Sequence, residues 1–164
     1  IASSPSCLLH PSMSPPILFY RPQDLYGAFS NFSAHPIQLE GKTWLTIEHY
    51  FQTKKFHGTE HEEIVRRASS AGIAARMGRD RSRPLRADWE EVKEDVLREA
   101  LRAKFTQHPI LGETLVKTGD RLLVEHTRND RYWGDGEDGR GLNRLGILLM
   151  ELRAEFIAED RLAA

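Results

Sequence analysis

The sequence predicts an α+β domain that is mostly helical, with a few short strands, on three observations. Apolar residues recur at steps of three and four in several separate stretches, and the apolar runs short enough to be strands are bounded by proline or glycine. The 164 residues, 40% apolar and 29% charged, are enough for one compact core rather than two. Residues 1–16, rich in Ser and Pro, read as a flexible tail ahead of a single domain over 17–160.

In chain order, Ile17 to Tyr20 is an apolar and aromatic run between Pro16 and Pro22, which suits a strand. Tyr26 to Phe32 interleaves aromatics with Gly, Ser and Asn, a loop expected to fold over something. Ile37–Leu39 and Lys42–Trp44 flank Glu40-Gly41 and predict a hairpin. Thr46 caps a helix carrying Ile47, Tyr50, Phe51 and Lys54 that stops at Gly58. A charged helix is expected over Glu60 to Arg67. Ser69-Ser70 caps another that holds Ile73, Ala74 and Met77 and ends at Gly78.

The longest helix is predicted from Asp88, its N-cap, to about Phe105, with Trp89, Val92, Val96, Ala100 and Phe105 on one stripe. Pro109 opens a short helix that ends before Gly119. Arg121 to Glu125 reads as a buried strand, followed by a Gly- and Asp-rich loop from Asn129 to Gly141. Leu145, Leu148, Leu149, Leu152 and Phe156 mark a closing amphipathic helix.

A net charge of -1 offers no global attraction to nucleic acid or an anionic membrane, so any bound anion needs a local patch. No apolar run reaches the roughly 18 residues of a membrane span. The lone cysteine, Cys7, allows no internal disulfide, and a cytoplasmic location is expected. His49, His57 and His61 lack a metal-ligand pattern, so no metal is expected. GxSxG, GxGxxG and Walker A motifs are absent, which argues against common hydrolase and nucleotide folds, and no cofactor is expected.

Three clusters carry possible chemistry, each with an ordinary alternative. Glu48, Gln52 and Lys55 share one helix face, either as a solvated face or as a catalytic carboxylate beside an amine. The loop Gly78 to Arg86 holds four arginines, either solvated or a phosphate clamp ahead of a helix N-terminus. Glu125 to Gly136 sets Tyr132 and Trp133 among Asp and Gly, either as a surface turn or as a loop that stacks a base and hydrogen-bonds a ribose.

Several blocks, in this order, carry a resemblance: Phe19-Tyr20, Phe29-Ser30-Asn31-Phe32, Trp44, Glu48-His49-Tyr50-Phe51-Gln52 with Lys55-Phe56, Ala75-Arg76-Met77-Gly78-Arg79-Asp80, Trp89, Ala103-Lys104-Phe105, Leu123-Val124-Glu125-His126-Thr127, Asn129-Asp130, Tyr132-Trp133-Gly134-Asp135-Gly136 and Gly141-Leu142-Asn143-Arg144-Leu145-Gly146. From about Leu18 to Phe156 the chain resembles the NADAR (YbiA-like) N-glycosidase family. The resemblance implies a single α-rich domain that hydrolyses an N-glycosidic bond between ribose and an amino-substituted base. The implied substrates are early riboflavin-pathway ribosylamino-pyrimidine phosphates or ADP-ribosylated guanine, with nucleic acid a possible carrier.

At the matched positions, Glu48 is expected to do acid/base work by an oxocarbenium route. Alternatively Lys55 forms a Schiff base with the opened sugar. Asp130 and Asp135 would orient ribose hydroxyls or water, and Gln52 would contact substrate beside Glu48. Trp89, Trp133 and Phe19 or Tyr20 would sandwich sugar or base. Arg79, Arg81 and Arg144 would hold phosphate, with Asn31 and Asn143 as polar positioning groups. Arg83 stands where the family often has lysine. The competing readings are a non-catalytic ADP-ribose or nucleotide binder, or a partner protein whose Glu48 face is packed against a neighbouring helix. No obligate protein partner is expected.

Overall fold

The computed structural model describes residues 14–164. Two small sheets and six helices build it: β1 (Ile17–Phe19), β2 (Ile37–Leu39), β3 (Lys42–Trp44), α1 (Ile47–Lys54), α2 (His61–Arg66), α3 (Ala71–Arg79), α4 (Trp89–Gln107), α5 (Pro109–Lys117), β4 (Leu123–Glu125) and α6 (Arg144–Ala163). The tail reading falls mostly on residues outside the described ones. No helix of the described residues is long and apolar enough to cross a membrane.

β2 and β3 form the expected hairpin, Leu39 opposite Lys42, with both Glu40 (φ 53°) and Gly41 (φ 72°) left-handed as a tight two-residue turn requires. The other sheet joins residues remote in sequence. β1 pairs in parallel with β4, Phe19 opposite Glu125, so the residues following each strand come together at one end. Ile17, Phe19 and Leu123 face the core while Leu18 is exposed, the alternation a half-covered sheet imposes.

α1 is buried on every side, unlike the amphipathic helix expected. Most of its polar side chains are therefore partnered, although Thr53 Oγ1 and Gln52 Oε1 are buried without a hydrogen bond. Thr46 Oγ1 caps the helix by accepting from the His49 N–H at 3.2 Å, and Lys54 Nζ donates to Glu40 Oε1 at 2.6 Å. His49 Nε2 bonds the Ala68 carbonyl at 3.0 Å, and the Tyr50 hydroxyl donates to Glu99 at 2.9 Å. α4 passes beneath α1 and packs on α5, α6 and β2, and its Phe105 closes against Phe29 with ring centroids 5.8 Å apart.

Three details differ from expectation. α3 runs through Gly78 to Arg79, because Gly78 serves packing rather than termination: a Cβ there would lie 1.8 Å from Gln52 Oε1. Asp88 sits at the N-cap position of α4 without capping it, since Arg86 holds its carboxylate at 2.6 and 2.9 Å. The longest helix is α6, of 20 residues, rather than α4, of 19.

Candidate active site

α1, α3, the Asn31–Phe32 loop, the end of β4 and the loop after it converge on a cavity of about 290 Å³. Tyr20, Asn31, Phe32, Glu48, Phe51, Gln52 and Lys55 line it, together with Ala75, Arg79, Glu125, Thr127, Asn129, Asp130 and Trp133. Trp133 meets Phe51 edge-on at 5.5 Å, so the two rings form one aromatic corner.

Glu48 is 5% exposed, and Gln52 Nε2 donates to its Oε1 at 2.7 Å. Burial raises its pKa. The hydrogen bonds from Gln52 and Asn31 and the charges of Lys55 and Arg79 oppose that rise. The Glu48 N–H also donates to the Asn31 carbonyl at 3.2 Å, which ties α1 to the loop. Asn31 Oδ1 is buried without a protein donor. Lys55 Nζ lies 5.7 Å from the ring centres of both Phe51 and Trp89, and burial pushes its amine down to about 8.

Glu125 is the carboxyl that sequence reasoning left without a role. Desolvation, with Asp130, Glu48 and Asp135 as its charged neighbours, pushes it up to about 8. A signal was present: Glu125 is two residues from Leu123 on a predicted buried strand, so a carboxyl shares the inward face. Phe51, read as core, and Phe32, Ala75, Thr127 and Asn129 also line the cavity without having been expected there.

Of the expected site residues, the structure brings Glu48, Lys55, Asp130, Tyr20, Asn31, Gln52, Arg79 and Trp133 into this one cavity. Asp130 uses Oδ1 to accept the N–H groups of Tyr132 at 2.9 Å and Trp133 at 2.7 Å, which sets the ring of Trp133. Six others lie elsewhere, each for a physical reason. Phe19 is in the core, edge-on to Phe29 at 5.8 Å. Trp89 stands behind Phe51 and Lys55 rather than against the cavity, 5.0 Å from the Phe51 ring. Arg81 turns back onto its own loop, donating to the carbonyls of Gly78 and Arg79.

Arg144 is held by Glu94 through two hydrogen bonds at 2.6 and 2.9 Å, which leaves no free fork for a phosphate. Asp135 bonds His126 Nδ1 at 2.7 Å and the N–H groups of Thr127 and Glu137, knitting the glycine-rich loop to β4. Asn143, left-handed at φ 49°, donates to the Leu123 carbonyl at 2.9 Å and accepts from the Glu125 N–H at 3.0 Å. The last two therefore position Glu125 from behind. Among the described residues, no group of three or more His, Cys, Asp or Glu side chains is arranged to hold a metal ion.

The comparisons with known proteins agree with one another. A family model described as the NADAR domain matches residues 18–157. The N-glycosidase YbiA of Escherichia coli (strain K12) is 59% identical over 143 residues, covering 87% of this chain and 89% of that protein. The chloroplastic riboflavin biosynthesis protein PYRR of Zea mays is 42% identical over 156 residues, covering 86% of this chain and 25% of that longer protein. The NMR structure of E. coli YbiA matches with a TM-score of 0.84 at 56% identity, covering 94% of this chain and 92% of that one. With a family model spanning most of its length and relatives at this identity, the chain belongs to the NADAR domain family.

Proposed function

We propose that this protein is an N-glycosidase that hydrolyses the bond between the ribose anomeric carbon and an exocyclic amine of a base, on a sugar that also carries phosphate. The observation that carries this reading is the enclosure of Glu48, beside an amine and a guanidinium, in a cavity with aromatic walls. A buried carboxyl of this kind can exchange protons during bond cleavage, and its low exposure strengthens its pull on a developing cation. The name of the E. coli relative supports the reaction class.

In the oxocarbenium route the two carboxyls divide the work. Burial first, and then the carboxylates of Asp130, Glu48 and Asp135, keep Glu125 protonated at neutral pH, ready to donate to the leaving nitrogen. Burial raises the pKa of Glu48, but Lys55, Arg79 and two amides oppose that rise, so of the two carboxyls it is the one whose surroundings support an ionised form. It takes a proton from the attacking water and steadies the sugar cation. One water is consumed, the base leaves as its free amine, and the sugar keeps the hydroxyl. Arg79 holds the phosphate, and Asn31, which lines the cavity, orients the ribose.

A second route is favoured by the depressed Lys55 amine. Its neutral fraction can attack the ring-opened sugar and displace the base amine through a Schiff base, which water then hydrolyses. Cyanoborohydride during turnover separates the two: a sugar adduct on Lys55 selects the covalent route, and no adduct with activity kept in Lys55→Ala selects the other.

Two substrates fit the cavity chemistry. Ribosylamino-pyrimidine phosphates of early riboflavin synthesis are favoured by the name of the maize relative. ADP-ribose on guanine shares the same bond. Incubating the protein separately with ribosylaminouracil phosphate and with ADP-ribosylated guanine DNA, then measuring free ribose phosphate or ADP-ribose, tests the reading. Release from either supports hydrolysis. Tight binding with no release from both makes the protein a nucleotide reader instead.

A further inference from the structure

Beside the cavity that holds Glu48 lies a second one of about 210 Å³, lined by Tyr20, Arg21, Pro22, Ser30, Phe32 and Glu125. Tyr20, Phe32 and Glu125 line both. The β1–β4 register explains the shared wall: Phe19 is opposite Glu125, so Tyr20 and Glu125 emerge side by side where the strands end.

The two cavities differ in chemistry. Lys55, Arg79, Glu48 and Asp130 belong to the larger one alone, whereas the smaller adds only Arg21, Pro22 and Ser30 to the shared residues. Tyr20 is 39% and Phe32 41% exposed, and among the described residues neither ring packs on another aromatic ring. Two large aromatic surfaces thus stay partly open to solvent beside a polar centre, faces on which a flat ring can stack. Arg21 makes no ion pair among the described residues.

The wall is also stiff. The Tyr20 hydroxyl accepts from Asn129 Nδ2 at 3.1 Å, and Ser30 Oγ accepts from the Phe32 N–H at 3.2 Å. Beneath them Lys104, fully buried, donates to the Ser30 carbonyl at 2.9 Å and to Ser33 Oγ at 2.6 Å, which fixes the loop that carries Phe32.

We propose that the site has two chambers divided by Glu125: the larger receives the ribose phosphate, and the smaller receives the departing base, a flat heterocycle lying on the Tyr20 and Phe32 rings with its exocyclic amine towards Glu125. The assignment rests on the N-glycosidase reading and adds to it where each half of the substrate lies. It also accounts for a carboxyl that lines both cavities, since the bond to be broken spans them.

Isothermal titration of the intact protein with 5,6-diaminouracil and with ribose 5-phosphate tests this. Separate chambers predict that both bind at once, each Kd changing less than about threefold when the other ligand saturates. Phe32→Ala should weaken 5,6-diaminouracil about tenfold, the size of one lost base–aromatic stack, and ribose 5-phosphate less than threefold. Arg79→Glu should do the reverse. Circular dichroism checks folding, and Phe32→Leu, which keeps bulk but removes the ring face, should weaken the base in the same direction. Mutual exclusion of the two ligands, equal effects of Phe32→Ala on both, or no base binding at millimolar concentration would overturn the proposal. Failure of the glycosidase reading shows elsewhere, as no hydrolysis by the wild type; side-by-side binding without hydrolysis would leave the chambers standing and remove the enzyme.

Discussion

Replacing Glu125 with Gln should make the protein more stable at alkaline pH while removing its activity. An ordinary Glu titrates near 4.5, and in the folded protein Glu125 is pushed up to about 8. Below about pH 4.5 both folded and unfolded chains hold this proton, and the group does not affect stability. Between the two values the unfolded chain ionises first, so stability falls as pH rises, and the fall ends above about 8. A gap of about 3.5 pH units at 1.36 kcal/mol each amounts to a penalty of about 5 kcal/mol when complete. By the same linkage the penalty is about 1 kcal/mol at pH 5 and nearly the full amount, about 5 kcal/mol, at pH 9. Gln has no titrating proton, so its variant escapes the whole of it. An unpaired buried amide adds a pH-independent offset of about 1–3 kcal/mol, which makes the pH dependence of the difference the quantity to read. Urea unfolding of both proteins at the two pH values, followed by tryptophan fluorescence, measures it. The variant should gain about 3–4 kcal/mol on the wild type between them. A difference that does not change with pH would refute a desolvated, carboxylate-crowded Glu125.

Other outcomes follow from the same geometry. In the wild type kcat/KM should fall above about pH 8 as Glu125 loses its proton, whereas a rise towards that pH would give Lys55, whose amine also titrates at about 8, the leading role. Arg79→Glu should raise KM for a phosphorylated substrate at least about tenfold over its dephosphorylated form. Arg144→Ala should leave KM within about threefold, because Glu94 holds that guanidinium, and lower stability by about 1 kcal/mol. Gly78→Ala places a methyl 1.8 Å from Gln52 Oε1, so it should swing the Gln52 amide off Glu48, lower kcat and destabilise by about 1–3 kcal/mol in thermal melts.

Much of the fold is legible in local chemistry. The Glu40-Gly41 turn, the Thr46 and Ser70 caps, and Pro109 at the first turn of α5 are set by neighbouring residues, and all appear in the structure. The errors come from side-chain partners that residue type and spacing do not reveal, whether near in sequence or remote. Gly78 reads as a helix end until Gln52 is seen against it, and Asp88 reads as a cap until Arg86 is seen holding its carboxylate. The same holds at the site. Glu48, Gln52 and Lys55 share a face by helical spacing alone, so their common cavity is foreseeable. Arg144 and Asp135 look like ligand groups by type, yet Glu94 and His126 satisfy them. Alternation along its strand turns Glu125 inward, but its place beside Tyr20 at the cavity needs the parallel pairing of β1 with β4, which joins segments about a hundred residues apart.

The account turns on Glu48 as a group that takes part in bond cleavage, and the rate of ribose 5-phosphate release from ribosylaminouracil phosphate by Glu48→Gln tests it most directly. A folded variant, shown by wild-type circular dichroism and melting, should turn over at least about 100-fold more slowly than the wild type. Turnover within a few-fold of the wild type would mean that the enclosed carboxylate is only part of the cavity wall and that the chemistry lies with other groups.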